Sequence, residues 1–217
     1  MHRGWADEDE TVSSLLRADG LSTVHMIHRL DRATSGVVLI ALHKQAAAQL
    51  GAQFQSGSIR KRYITLVRGR LREAVRLDHP IPKAPGEARV PAVTSFSPIA
   101  SADTKPRETS LLWAEPETGR THQIRRHIKH LNHPIIGDSK YGRGALNRAL
   151  RARYGLDRMA LHAAAISFVQ PTSGEPITIC APLPDSLRGP LEAMGYADAI
   201  AQLDQELGHG AFAPKSA

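Results

Sequence analysis

The order of the periodic segments is what most restricts the fold of this chain. "TVSSLLRAD" (Thr11 to Asp19) reads as a short helix, with a hydroxyl at its start and Gly20 past its end. "VHMIH" reads as a brief strand, and "GVVLIAL" (Gly36 to Leu42), β-branched and continuous, as a buried one. "HKQAAAQLGAQFQSG" (His43 to Gly57) is rich in Ala and Gln and closes on glycine, which predicts a helix. "IRKRYITLVRGRL" (Ile59 to Leu71) sets Tyr63, Thr65 and Val67 against Arg62, Ile64 and Leu66, the period of a strand. Residues Asp78 to Pro106 hold six prolines, which predicts a long loop or a pair of edge strands on the surface. A strand follows at Glu108 to Glu117. Over Gly119 to Leu131, Ile124, Ile128 and Leu131 fall at helical spacing. After the turn-rich "NHPIIGDSKYG", "ALNRALRARYG" reads as a helix. "ALHAAAISFV" and "EPITICAP" read as a hairpin-like pair of strands, and helices follow from "PDSLRGPLEAMGY" onwards.

Strands and helices in this order do not alternate regularly, so a doubly wound βαβ array is not expected. The expectation is an α+β fold with a mixed, mostly antiparallel central sheet flanked by helices and loops. At 217 residues the chain can bury a sizeable core, read here as one domain over residues 1–207 with a flexible tail over 208–217. There is no GxGxxG and no GxxxxGK[ST], so neither a dinucleotide nor a P-loop site is indicated. The single cysteine, Cys180, excludes an internal disulfide and a cysteine-based zinc site, and reads as a small buried residue. No apolar run approaches the ~20 residues that cross a bilayer, and no secretory signal is visible. A cytoplasmic monomer without membrane attachment is expected.

The formal net charge is +7, and its distribution says more than its size. Between Ser58 and Arg72 stand six basic residues (Arg60, Lys61, Arg62, Arg68, Arg70, Arg72) and no acid. Between Gly119 and Gly137 stand four (Arg120, Arg125, Arg126, Lys129), again with no acid. Segregated cations make a local positive field suited to a phosphate-bearing partner.

His122, His127, His130 and His133 fall close together, which could suggest a metal. However, His122 lies off the helical face shared by His127 and His130, and the surrounding cations would repel a divalent ion. No metal is expected there, and the histidines suit RNA contact or the capping of buried groups. Ser35 lacks the GxSxG elbow of a hydrolase and reads as a hydroxyl capping the turn after Asp31. Asp31 itself, in "HRLDRATSG", is a lone acid between Arg29 and Arg32. Its spacing alone allows an exposed ion pair worth under ~1 kcal/mol, or a reactive carboxylate held ionised.

A resemblance separates the two. "HRLDRATSGVVLIA" together with "GRTHQIRRHIKHLNHPIIGDSKYG" resembles the signature pair of the RluA-like family of pseudouridine synthases. "RKRY" (Arg60 to Tyr63) stands where that family has its tyrosine, and "ALHAAAISFVQPTSGEPITICAP" resembles its closing hairpin. The match runs from about His2 to Pro184. Within the family the likeness is greatest to the tRNA pseudouridine synthase C branch, carried by "PIPKAPGEARVPAVTSF" and "RRHIKHLNHPIIGDSKYGRGALNRALRARYGLDRMALHA".

The resemblance implies an isomerase that turns a uridine of RNA, expected to be uridine 65 of tRNA, into pseudouridine without metal or cofactor. The C–N glycosidic bond breaks, the base turns while held, and a C–C bond to C5 forms. Asp31 matches the essential aspartate, as nucleophile or as stabiliser of a ribose intermediate. Arg125 matches the arginine that pairs with it; a planar, permanently charged guanidinium would keep the carboxylate ionised and oriented. Tyr63 matches the family's tyrosine, able to stack on the extruded base and assist proton transfer. Arg29 would contact RNA where the target nucleotide leaves the stack, and Leu161 and Ile124 would pack near the base. Phosphate contacts from Arg60, Lys61, Arg62, Arg126 and Lys129 would offset the cost of extrusion, a few kcal/mol. Two rivals stand beside this: the same reaction on ribosomal RNA, and a non-catalytic RNA-binding module. Members of the family begin about twenty residues earlier, with Met1 here standing where many have Val. A start upstream of Met1 and a further strand beside the sheet are therefore expected. The lack of room for an S4-type domain leans towards tRNA.

Overall fold

The computed structural model describes residues 11–84, 86–208 and 212. Helix α1 (Val12–Ala18) opens on a reciprocal cap: Ser14 N–H donates to Thr11 Oγ1 at 3.1 Å and Thr11 N–H to Ser14 Oγ at 2.7 Å. Short strands β1 (His25–Met26), β2 (Ser35–Gly36) and β3 (Ile40–Ala41) follow, then helix α2 (Lys44–Ser56). Gly57 ends α2 at φ 74°, the left-handed conformation that glycine adopts without penalty. Strand β4 (Arg60–Arg68) leads to β5 (Val75–Asp78), a small ribbon of β6 (Ile81–Pro82) and β7 (Arg89–Val90), then β8 (Val93–Ala102) and β9 (Thr109–Pro116). Helices α3 (Gln123–His130) and α4 (Gly144–Tyr154) precede the hairpin of β10 (Leu161–Val169) and β11 (Pro176–Cys180). Helices α5 (Asp185–Ala193) and α6 (Ala197–Gly208) complete the described chain.

The main sheet runs β11-β10-β4-β9-β8-β5, every ladder antiparallel, and β2 adds a parallel pairing to β10. This is the mixed, mostly antiparallel α+β architecture that the element order predicts. β4 takes one edge of β10, while β2 and β11 divide the other. Period-2 alternation along β4 and β9 sends residues to two different cores. Ile64, Leu66, Leu111 and Trp113 pack with α4, α5 and α6. Val67, Leu112 and Ala114 pack with Ile124 and Ile128 of α3, with Tyr63 against them. A third cluster joins Leu39, Ala41, Leu50 and Ile59 to Ile166 and Phe168 of β10.

Three expectations change: those for "GVVLIAL", the proline-rich stretch and Cys180. "GVVLIAL" is not one strand. Gly36 (φ 112°) turns the chain away from β10, and the run resumes as β3 paired with β1. Val37, Leu39 and Ala41 fill the third cluster, while Leu42 is exposed. The proline-rich stretch is neither loop nor surface edge pair alone: β8 is a ten-residue strand between β5 and β9. Pro98 sits where the β8–β9 register shifts, the irregularity at which a strand tolerates proline. Most of the 208–217 tail lies outside the described residues, but Phe212 is buried, its carbonyl accepting from Thr178 Oγ1. Cys180 is half-buried in β11 rather than buried. Among the described residues no helix is long and apolar enough to cross a membrane.

Candidate active site

The turn carrying Asp31 is pinned at three points. His28 Nε2 accepts from Leu39 N–H at 2.8 Å, and its ring stacks on Phe54 at 5.0 Å. Burial, and then the charge of Lys61, lower the His28 pKa to about 4, so the ring stays neutral and keeps its acceptor. Thr34 N–H donates to the Asp31 carbonyl at 2.8 Å. Ser35 does not cap the turn: its hydroxyl lies 2.9 Å from His162 Nδ1. His162 Nε2 faces the Ala181 carbonyl at 3.1 Å, an acceptor only, so Nε2 carries the proton and Ser35 donates to Nδ1. Beside it, a Cβ on Gly36 would lie 2.1 Å from the Ala163 carbonyl oxygen, so only glycine allows β2 to approach β10 this closely.

The partner of Asp31 comes from α3. Arg125 Nη1 donates to Asp31 Oδ2 at 3.0 Å, while neither sequence neighbour, Arg29 or Arg32, forms an ion pair among the described residues. The other side of the same guanidinium is held by Asp138, through Nε to Oδ2 at 2.7 Å and Nη2 to Oδ1 at 3.0 Å. Asp138 Oδ1 also accepts from the backbone N–H groups of Lys140 and Tyr141, at 2.8 and 2.9 Å. The Asp138 side chain is 0% exposed, that of Arg125 9% and that of Asp31 23%, so solvent access increases along the chain of charges. Burial alone would raise Asp138 and lower Arg125. The hydrogen bonds between them reverse both, holding Asp138 below and Arg125 above their ordinary values. Gln123, also buried, braces the loop before α3. Its Oε1 accepts from Thr118 Oγ1 and Arg120 N–H, and its Nε2 donates to the Val93 carbonyl and Thr94 Oγ1.

Asp31, Tyr63, Arg125, Arg29, Leu161 and Ile124 line one cleft of about 760 Å³. Tyr63 pairs with Ala163 across the β4–β10 ladder, and Leu161 lies two residues along the same face. Burial, and then the negative charge of Asp31, push the Tyr63 hydroxyl far above the ordinary phenol range, so it is protonated at neutral pH.

The cationic residues of "RKR" are not brought together. Alternation turns Lys61 with Tyr63 towards the cleft and Arg60 and Arg62 to the opposite face. There Glu115 pairs with both arginines, Glu206 with Arg62, and Arg62 lies 3.8 Å over the Trp113 ring. Arg126 donates to the Pro82 carbonyl at 2.8 Å, and Lys129 is exposed, 5.7 Å over the Tyr141 ring. The histidines divide similarly. His127 is buried between Thr94 Oγ1 and the His79 carbonyl, and His133 faces the Arg68 carbonyl at 2.8 Å. His122 instead lines the cleft. Among the described residues no group of His, Cys, Asp or Glu is arranged to hold a metal ion.

Asp138, Gln123, His28 and Tyr141 are absent from the sequence-derived site. Only Asp138 carried a signal. It is an acid directly after the apolar "PIIG", in a segment otherwise devoid of negative charge.

Residues 2–130 match a family model described as RNA pseudouridylate synthase. A protein of Vibrio cholerae serotype O1 named tRNA pseudouridine synthase C is 36% identical over 92% of this chain and 90% of its own. A protein of the same name from Pasteurella multocida is 41% identical over 83% of this chain and 82% of its own. The solved structure of human RNA pseudouridylate synthase domain containing 1 superposes with a TM-score of 0.72 at 27% identity, covering 95% of this chain and 87% of that one.

Proposed function

The chain belongs to the RNA pseudouridylate synthase family, and from that premise we propose that it isomerises uridine 65 of tRNA through Asp31, without a cofactor. The relatives named tRNA pseudouridine synthase C support tRNA as the substrate class. The observation that carries the reading is the asymmetry at Asp31. Arg125 gives Oδ2 a single N–H, while Asp138 holds the Nε–Nη2 edge of the same guanidinium. Oδ1 of this cleft-lining residue is left as an oriented acceptor, as a nucleophile requires.

The reaction moves the ribose bond from N1 to C5 of the base; a proton leaves C5 and one is gained at N1, so the composition is unchanged. Asp31 attacks the target nucleotide and releases it when the new bond has formed. Arg125 stabilises the carboxylate each time it returns to the anion. Tyr63, a neutral phenol, offers its ring to the uracil face beside Leu161 and its hydroxyl as a donor at the turning base. Arg29 and Lys61 at the cleft meet the backbone on either side of the extruded nucleotide.

The test is to incubate the purified protein with an unmodified tRNA transcript and map pseudouridine at nucleotide resolution. Conversion at uridine 65 is expected. Conversion at another tRNA position would overturn the target, and conversion of ribosomal RNA alone would overturn the substrate.

A further inference from the structure

His122 is placed in a way that its surroundings do not explain. It is the residue preceding α3 and has φ 55°, ψ 28°, a left-handed conformation that a non-glycine residue adopts at a cost. The strain aims its ring into the cleft. Its Nε2 stands 3.9 Å from Asp31 Oδ1, the oxygen that Arg125 leaves untouched. That is too far for a direct hydrogen bond. Its Nδ1 lies 3.1 Å from the Tyr141 hydroxyl, and Tyr141 is itself fixed by the N–H it donates to Asp138.

Chemistry assigns the protons. Burial leads in lowering the His122 pKa, so the ring is neutral near pH 7. A neutral imidazole has one N–H. With the proton on Nδ1, a bare Nε2 lone pair would face a carboxylate. With Tyr141 donating to Nδ1, Nε2–H faces the carboxylate instead, which the charge of Asp31 favours. The cleft thus holds a donor, His122 Nε2–H, and an acceptor, Asp31 Oδ1, separated by a gap that neither fills.

A single atom bridging that gap must accept from one side and donate to the other. A uracil carbonyl only accepts, and would confront the carboxylate. The uracil N3–H only donates, and would confront the imidazole N–H. A hydroxyl does both. We propose that His122 and Asp31 together receive the ribose 2′-hydroxyl of the target nucleotide, making His122 a specificity-determining residue that requires RNA rather than DNA at that position. The inference rests on the reading of the chain as an RNA-modifying enzyme and goes beyond it by naming which atom of the nucleotide is read. A 2′-hydroxyl is the group that lets a protein separate the two nucleic acids at one nucleotide.

The experiment compares two tRNA-derived stem–loops that differ only in ribose or 2′-deoxyribose at the target uridine. They are assayed with the unaltered protein and with His122→Asn, since asparagine tolerates the left-handed backbone but is too short to bridge. The readout is the ratio of kcat/KM for the two RNAs within each protein, which is independent of the folded fraction. The unaltered protein is expected to prefer ribose by roughly 10- to 100-fold, the worth of a hydrogen bond to a charged group. In His122→Asn the preference should fall severalfold, chiefly through loss on the ribose substrate. An equal preference in both proteins, or none in the unaltered one, overturns the assignment of the 2′-hydroxyl while leaving the enzyme reading intact. Failure of the unaltered protein to convert the all-ribose RNA overturns the enzyme reading, and this inference with it.

Discussion

Asp138 holds Arg125 through two N–H···O bonds, of 2.7 and 3.0 Å, and so decides how much of that arginine reaches Asp31. Asp138→Asn removes the charge and sets an amide N–H against an arginine N–H. Breaking a buried ion pair from one side costs roughly 3 kcal/mol, and urea unfolding at neutral pH should show a loss of that order. Conversion by the folded fraction should fall as well, because Arg125 loses bonds that orient it towards Asp31. A variant as stable and as active as the unaltered protein would remove Asp138 from the account.

Tyr63→Phe keeps the ring against Leu161 and removes the hydroxyl. RNA affinity should change by less than about threefold, while kcat falls on the order of a hundredfold, within the range for loss of a positioned proton-transfer group. Single-turnover conversion and filter binding separate the two quantities.

Lys61 and Arg60 are adjacent in sequence and opposite in the fold. Lys61→Ala should weaken RNA binding across sequences and reduce the slope of log Kobs against log salt by about one. Arg60→Ala should leave the slope unchanged, because that arginine pairs with Glu115 on the far face. Titrations at several salt concentrations check both.

His28 makes stability depend on pH with a definite sign. Its folded pKa is about 4 against 6.5 unfolded, so the unfolded chain binds more protons between those values. The contribution is present in full above about pH 6.5 and is lost as pH falls towards 4. His28→Gln, which can still accept from Leu39 N–H, should show a shallower decline in unfolding free energy between about pH 7.5 and about pH 4.5. His122, His127 and His162, whose values are also lowered, should add slope of the same sign.

Local patterns were legible where one periodicity governs a segment. The two-residue alternation of β4 and the glycine after α2 point to elements that the fold contains. β8 was hidden because proline, read as punctuation, here occupies a register shift inside a sheet. "GVVLIAL" misled because a continuous apolar run shows neither where a strand breaks nor that only Leu39 and Ala41 of it are buried. The cleft residues Asp31, Tyr63 and Arg125 came from long motifs matched to a family. Spacing alone left Asp31 open between an exposed ion pair and a reactive carboxylate. Asp138 escaped because pairing between a helix and a later turn leaves no periodic trace. Grouping Arg60, Lys61 and Arg62 by charge failed because a strand divides neighbours between its faces.

The central claim is that the Asp31 carboxylate does the chemistry. Asp31→Asn is nearly isosteric and can still accept from Arg125, so fold and RNA binding should survive. The decisive measurement is pseudouridine formation on a tRNA transcript by this variant and the unaltered protein under identical single-turnover conditions. The account predicts binding within about threefold and no pseudouridine from the variant. Pseudouridine formed by Asp31→Asn at the unaltered rate would contradict it.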